Sequence, residues 1–233
     1  AVSRMEMEYF QRSMQATLRQ AAIIFTISEF TSAEVRRLAG EMKIHCPPVV
    51  TMGIGFDAPA MALPETGGRS GLLVLASRWP HKKTALAVEY VKQWQKESGF
   101  GAEVHWVGGL PPGLDMPPLP NWTVHPRLSN PEYWRLMATS RAVLFFSEYE
   151  GFGMPPVEAA LAGACPVYSD IPVTREVMAG AGCPFYNERY ESFRAAMNAA
   201  VNAPEDAVRR WAGALPARHR REDACPPVVR GLP

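Results

Sequence analysis

The sequence predicts an α/β fold, a doubly wound parallel sheet, and three observations lead there. Short apolar runs alternate along the chain with segments of helical composition. The run Ala142–Ser147 is apolar throughout and rich in β-branched and aromatic residues, the pattern of a strand buried on both faces. Gly151 and Gly153 follow it closely, then Pro155 and Pro156 and a helix-forming stretch, so that strand, glycine turn and helix start come in succession.

The elements read in order as follows. Ala1 to Gln20 has helical composition, with Met5, Tyr9, Phe10, Met14 and Leu18 near helical spacing. Ala21 to Ile27 is a short buried strand ended by Ser28. Thr31-Ser-Ala-Glu34 has capping-box spacing and opens a helix to about Glu41. Pro48 to Met52 is a strand, and Asp57 to Ser70, rich in Pro, Gly and Ala without periodicity, reads as a linker between lobes. A second alternation follows: strand Gly71–Ala76, helix Thr84–Ser98, strand Ala102–Val107 ending at Gly108-Gly109, a proline-rich loop over 110–121 and strand Trp122–His125. Asn130-Pro131 caps and starts a helix to about Ser140. The strand at 142–147 and the helix at 155–162 come next, then strand Pro166–Ser169, a short helix Thr174–Met178 and a helix over 191–202. The tail from Pro216 has no clean pattern and is expected to be poorly ordered; no internal repeat is present.

Composition bounds the class. The 233 residues suffice for one large domain or one and a half, and 47% hydrophobic content supports a packed core. A net charge of +1 argues against duplex DNA as partner. Cys46, Cys165, Cys183 and Cys225 lie far apart with no C-x-x-C, which reads as reduced thiols in a cytoplasmic protein rather than a disulfide scaffold or zinc site. No apolar run approaches the ~18–20 residues of a membrane span, and the N-terminus opens on a polar, charged segment unlike a signal peptide. Because the first residue is Ala, the chain reads as a piece of something longer.

The chemistry gathers at two loops. Ser77-Arg78-Trp79-Pro80-His81-Lys82-Lys83 follows the first strand of the second alternation and carries cations suited to phosphate oxygens. The turn after the 142–147 strand presents backbone N–H groups at a helix start, with Glu150 and Glu158 on either side. A carboxylate in an anion site calls for hydroxyls to bind, and sugar or ribose hydroxyls answer that need. Ordinary solvated charges are the plain alternative for each loop alone; the crowding of glycines, prolines and both acids into nine positions favours the site. The chain has no Asp-x-Asp and no carboxylate pair shaped for magnesium, so no metal and no cofactor are expected. Gly53-Ile-Gly-Phe-Asp-Ala58 matches a dinucleotide fingerprint but lacks a proper helix start after it, and serves better as an interlobe turn. The histidines show no ligand spacing; His105 and His125 fall in strand patterns as interior histidines, and His81 is placed to line the site. No Gly-x-Ser-x-Gly elbow is present, and the tryptophans read as packing residues.

Glu150-Gly-Phe-Gly-Met-Pro-Pro-Val-Glu158 resembles the signature of retaining glycosyltransferases of family four, group 1 enzymes of GT-B architecture with two Rossmann-like lobes. Ala159–Asp170 and Ile171–Val177 resemble its continuation, Leu72–Arg78 with Lys82 its phosphate loop, and Ile23–Phe30 with Val49–Asp57 the end of its first lobe, so the likeness covers roughly residues 20–200. The resemblance implies residues 1–56 as the remnant of an N-terminal acceptor lobe whose greater part is missing, 57–70 as linker, 71–215 as a Rossmann-like donor lobe and 216–233 as an irregular tail. It implies that Arg78 and Lys82 (or Lys83 in its place) bind and stabilise the leaving diphosphate, with Ser77 in the same loop. It further implies that Glu150 faces the sugar, that Gly151, Phe152, Gly153, Met154 and Pro155 hold sugar and phosphates, that Glu158 accepts from the ribose, and that Arg127 and Leu128 lie along the base. The expected activity is hexose transfer from a nucleotide-diphosphate sugar to a glycan or lipid-linked acceptor with retention, as in polysaccharide biosynthesis, with peripheral membrane association of the whole protein. A non-catalytic nucleotide-sugar-binding module is the alternative, and an epimerase or phosphorylase of the same build a third reading.

Overall fold

The computed structural model describes residues 4–56, 68–215 and 219. The expectations for the linker up to residue 67, and for the tail apart from residue 219, lie outside the described residues. The chain divides into two compact units, one holding residues up to Phe56 together with His219, the other the residues from 68 to 215.

In the first unit, α1 (Arg4–Gln20) precedes β1 (Ile24–Thr26), α2 (Glu29–Glu41) and β2 (Val49–Thr51). The two strands pair in parallel, Ile24 opposite Val49 and Thr26 opposite Thr51. Hydroxyls lock the three elements: Thr26 Oγ1 meets Ser32 Oγ at 2.5 Å, and Ser32 Oγ meets Thr51 Oγ1 at 2.6 Å. α2 starts earlier than its capping-box spacing suggests. Ser28, not Thr31, is the cap, its hydroxyl accepting from the Thr31 amide at 3.0 Å. The helical spacing in α1 is real but does not mark a buried stripe: Leu18 is buried while Met5, Tyr9 and Phe10 are exposed. His219 joins this unit through its carbonyl, which accepts from the Phe56 amide at 2.9 Å.

The second unit is a six-stranded parallel sheet in the order β5-β4-β3-β6-β7-β8. Its strands are β3 (Leu72–Leu75), β4 (Val104–Val107), β5 (Trp122–His125), β6 (Ala142–Phe145), β7 (Cys165–Ser169) and β8 (Cys183–Phe185). The helices are α3 (Thr84–Ser98), α4 (Asn130–Thr139), α5 (Met154–Leu161), α6 (Pro172–Met178), α7 (Tyr190–Val201) and α8 (Glu205–Ala214). β3 is central, with Leu72 opposite Val104 on one side and Ala142 on the other. Both sheet faces are covered, as the apolar runs require. Leu72, Val74, Trp106, Leu144 and Phe146 pack with Val91 and Trp94 of α3 and Phe193 and Met197 of α7. Leu73 and Val143 face the other way, onto Met137 of α4 and Ala159 of α5.

Gly108 shows why a glycine ends β4. Its φ is +120°, and a Cβ there would lie 2.1 Å from the Ala76 carbonyl oxygen.

Several sequence expectations shift. α4 is capped by Ser129, whose hydroxyl accepts from the Glu132 amide while the Glu132 carboxylate accepts from the Ser129 amide; Asn130 and Pro131 are already inside the helix. β8 and α8 went unpredicted: Pro184 sits in the middle of the three-residue strand, and the helix follows Pro204 although Ala207, Val208, Trp211 and Leu215 recur at helical spacing. Cys165 and Cys183, 18 positions apart, bring their sulfurs to 3.8 Å in the core as free thiols. His105 and His125 are half-buried and face each other across β4 and β5, Nδ1 to Nε2 at 3.1 Å. Trp94 and Trp106 are packing residues, but Trp79 is half exposed.

Candidate functional site

In this sheet order the chain's direction of winding reverses between β3 and β6. Open α/β sheets bind ligands at the carboxyl ends of the strands beside such a switch point, where adjacent loops diverge and leave a crevice. The two loops singled out by sequence are the ones that follow β3 and β6.

The cationic loop is pinned at its base. The Thr84 hydroxyl, buried at the start of α3, donates to the Ser77 carbonyl at 2.7 Å and accepts from the Ser77 amide at 2.9 Å. Between them Pro80–Lys82 forms a 3-10 turn, and Lys83 takes a left-handed conformation (φ 47°) to turn the chain into α3. A non-glycine residue adopts this geometry at a cost, so the surrounding contacts hold it. The glycine loop uses Gly153 in the same way: φ is +82° there, just ahead of Met154, Pro155 and Pro156 in the first turn of α5.

Three close ties join the loops, besides a longer bond from the Ser147 hydroxyl to the His81 carbonyl at 3.4 Å. The Glu148 amide donates to the His81 carbonyl at 2.8 Å. Lys83 Nζ pairs with the Glu148 carboxylate, and Lys82 Nζ pairs with Glu150 Oε1. The Lys82 ammonium also lies 4.7 Å from the Phe145 ring centroid, a cation–π arrangement at the end of β6. Lys82 and Glu150 are 23% and 15% exposed, against 29% and 45% for Lys83 and Glu148, so the inner pair is the one shielded from water. The question of which lysine faces the turn has a geometric answer: each has its own acid, and Lys82 holds the inner one.

Glu150 is set from below. Ser147 Oγ donates to Glu150 Oε1 at 2.6 Å. The Ser147 backbone is held in turn, its amide donating to Ser169 Oγ at 2.8 Å and its carbonyl accepting from Asn187 Nδ2 at 2.5 Å. Sequence reading missed Ser147, Ser169 and Asn187; a serine closing an apolar strand was the only signal. Glu158, one turn into α5, accepts from the Tyr133 hydroxyl at 2.8 Å. Burial pushes its carboxyl above the usual range, and the Tyr133 hydrogen bond offsets part of that. Burial and the nearby Glu158 charge raise the Tyr133 phenol as well, keeping it a neutral donor.

The remaining sequence-predicted residues are less closely drawn in. Arg78 is exposed, its guanidinium 5.2 Å from the Trp79 ring centroid, so it stacks on its neighbour rather than meeting the glycine turn. Arg127 is exposed and Leu128 half-buried in the loop after β5, two strands from β3 at the same sheet edge. Phe152 is buried, while Met154 is 44% exposed at the mouth of the turn. Beside the turn lies a hollow of about 320 Å³, bordered by Glu148, Asp170, Tyr186, Asn187 and Arg189.

Residues 118–212 match the family model described as glycosyl transferases group 1. That segment is similar to the group 1 glycosyltransferases. It contains the glycine turn, Glu150 and Glu158 but stops short of the Lys82 loop, which rests on the fold. Over 54 residues the chain is 43% identical to a protein of Sulfolobus islandicus filamentous virus named as a glycosyltransferase, 23% of this chain and 16% of that one. Among solved structures, a mutant of S. aureus TarM in complex with Fondaparinux, alpha-GlcNAc-glycerol and UDP superposes with a TM-score of 0.74 at 12% identity, over 97% of this chain and 46% of that one. A UDP-forming trehalose-phosphate synthase from Burkholderia xenovorans gives 0.72 at 10% identity, over 95% and 61%. The fold is the GT-B α/β type, and the chain spans roughly half the length of these solved relatives.

Proposed function

We propose that this chain supplies the donor-binding lobe of a retaining, family-four glycosyltransferase, which moves a hexose from a nucleotide-diphosphate sugar to a glycan or lipid-linked acceptor. One observation carries the reading: a lysine from the loop after β3 and a carboxylate from the turn after β6 meet across the switch point of a group 1 lobe. The diphosphate takes the ammonium of Lys82, with Arg78 swinging from Trp79 to clamp it and the turn over Gly151, Phe152, Gly153, Met154 and Pro155 cradling phosphate and sugar. Glu150 accepts from the sugar hydroxyls and Glu158 from the ribose, with Arg127 and Leu128 along the base. The bond from the anomeric carbon to the diphosphate breaks, the acceptor oxygen bonds to that carbon from the same face, and its proton passes to the departing diphosphate. Lys82 and Arg78 stabilise the charge that develops on the leaving group. No divalent ion is required in this scheme, so chelation leaves transfer unchanged.

The solved relatives described with UDP make uridine the first base to try. The missing part of the first lobe supplies the acceptor site, and the whole protein works in the cytoplasm, at a membrane face when the acceptor is lipid-linked. Among the described residues no helix is long and apolar enough to cross a membrane. Calorimetry with UDP, GDP and ADP tests the map. Lys82→Ala and Glu158→Ala are each expected to weaken binding about 10- to 100-fold, the worth of one charge-assisted hydrogen bond, with unchanged circular dichroism. Unchanged affinity in both variants overturns the assignment. The second reading, a nucleotide-sugar-binding module without transfer, draws on the chain's span of about half its solved relatives; tight binding with no transfer to any acceptor by the longest form of the protein would favour it.

A further inference from the structure

Two residues with different tasks at the donor are bonded to each other: Lys82 Nζ to Glu150 Oε1, with Ser147 Oγ holding the same carboxylate oxygen at 2.6 Å. Both side chains are largely shielded from water, and charges repel more strongly where solvent is excluded. An anionic diphosphate arriving at Lys82 therefore meets an ammonium already engaged, and a carboxylate beside it. If the carboxylate stays, it repels the phosphates; if it leaves Lys82, it needs other donors, and Ser147 supplies one. The hydroxyls of a sugar attached to the diphosphate are such donors. A bare nucleoside diphosphate brings none to that position.

We propose that Glu150 is the group that discriminates the sugar-charged donor from the sugar-free diphosphate. It competes with the diphosphate for Lys82 and yields only when sugar hydroxyls take over its carboxylate. The same competition expels the nucleoside diphosphate after transfer, when the sugar has gone. Specificity of this kind comes from penalising the wrong ligand as well as rewarding the right one. The inference rests on the reading of Lys82 as a diphosphate ligand given above, and it reverses the sign expected of a simple contact residue: removing the charge of Glu150 strengthens binding of one ligand and not the other.

The test is calorimetry of the unsubstituted chain, Glu150→Gln, Lys82→Ala and the double variant against UDP, UDP-glucose and UDP-GlcNAc, with GDP and ADP counterparts if uridine nucleotides do not bind. Glu150→Gln is expected to bind the sugar-free diphosphate about tenfold tighter and the nucleotide sugars no tighter, so that the preference for sugar falls about tenfold. In the Lys82→Ala background the gain disappears, because no ammonium is left to compete for. Glu150→Ala gives the same sign should the amide perturb the turn. Unchanged or weaker binding of the sugar-free diphosphate in both Glu150 variants, with Lys82→Ala still weakening it, overturns the discrimination and leaves the phosphate site standing. No effect of Lys82→Ala, or no binding of any nucleotide, removes both.

Discussion

Glu158 carries the clearest linkage between site and stability at the scale of single residues. Its carboxyl is raised by burial, so in the folded protein it binds a proton at pH values where the unfolded chain has already lost it. The folded state thus bears a penalty that is absent below the ordinary carboxylate range and grows as pH rises through it, reaching its full size above the raised value. Glu158→Gln keeps an oxygen for the Tyr133 hydroxyl and removes the charge. It is expected to raise the melting temperature at neutral pH, by roughly 2–4 °C for each kcal/mol relieved in a chain of this size, with the gain shrinking as pH falls toward 4. A gain that persists undiminished in acid would mean that packing rather than charge is responsible. A buried carboxylate retained at such a cost fits a group kept for a ligand. Glu150 is held by bonds to Lys82 and Ser147.

At the scale of elements, the cationic loop depends on one hydroxyl. Thr84 is 2% exposed and makes both bonds that close the loop on Ser77. Thr84→Val keeps the shape and removes both. The Ser77 amide and carbonyl are then left without that partner, at a cost of about 1–3 kcal/mol, and diphosphate affinity falls although valine touches no phosphate. Denaturant unfolding reads the first effect and calorimetry the second; stability lost with affinity intact would show that the loop does not need its clasp to hold Lys82. The helices that sequence placed well, such as α3 at Thr84–Ser98, end on a glycine signal at Gly99. Those placed less well start on caps that compete locally. Ser28 and Thr31 both suit a cap, as do Ser129 and Asn130, and only the bonds made decide between them. α8 was legible in principle, since Ala207, Val208, Trp211 and Leu215 recur at helical spacing behind Pro204, yet it went unpredicted.

For the whole molecule, the six-stranded sheet places the loops after β3 and β6 side by side, although about 65 residues separate them. A nucleotide bound there stabilises the fold by mass action, by about 2.7 kcal/mol at a hundred times the dissociation constant. Hydrogen exchange on adding UDP is expected to slow over residues 77–83 and 147–158. Protection confined to other segments would place the ligand elsewhere. The alternation of strands and helices was legible because the central strands β3, β6 and β7 are buried on both faces and so read as apolar runs. The pairing order of those strands has no such local signature, since every strand edge offers the same backbone N–H and C=O groups.

By itself the sequence determined the fold class, most of the elements and the two loops where chemistry gathers, because periodicity, glycine turns and clustered charge are local properties of a chain. It also singled out Lys82, Glu150 and Glu158 as candidates for the site. Only the tertiary structure decided that Lys82 and not Lys83 reaches Glu150, that Arg78 stacks on Trp79, and that Ser147, Ser169, Asn187 and Tyr133 fix the two acids. These are choices among partners distant in sequence. They are settled by strand register and by which side chains the packing of the sheet excludes from water, and no window along the chain records either.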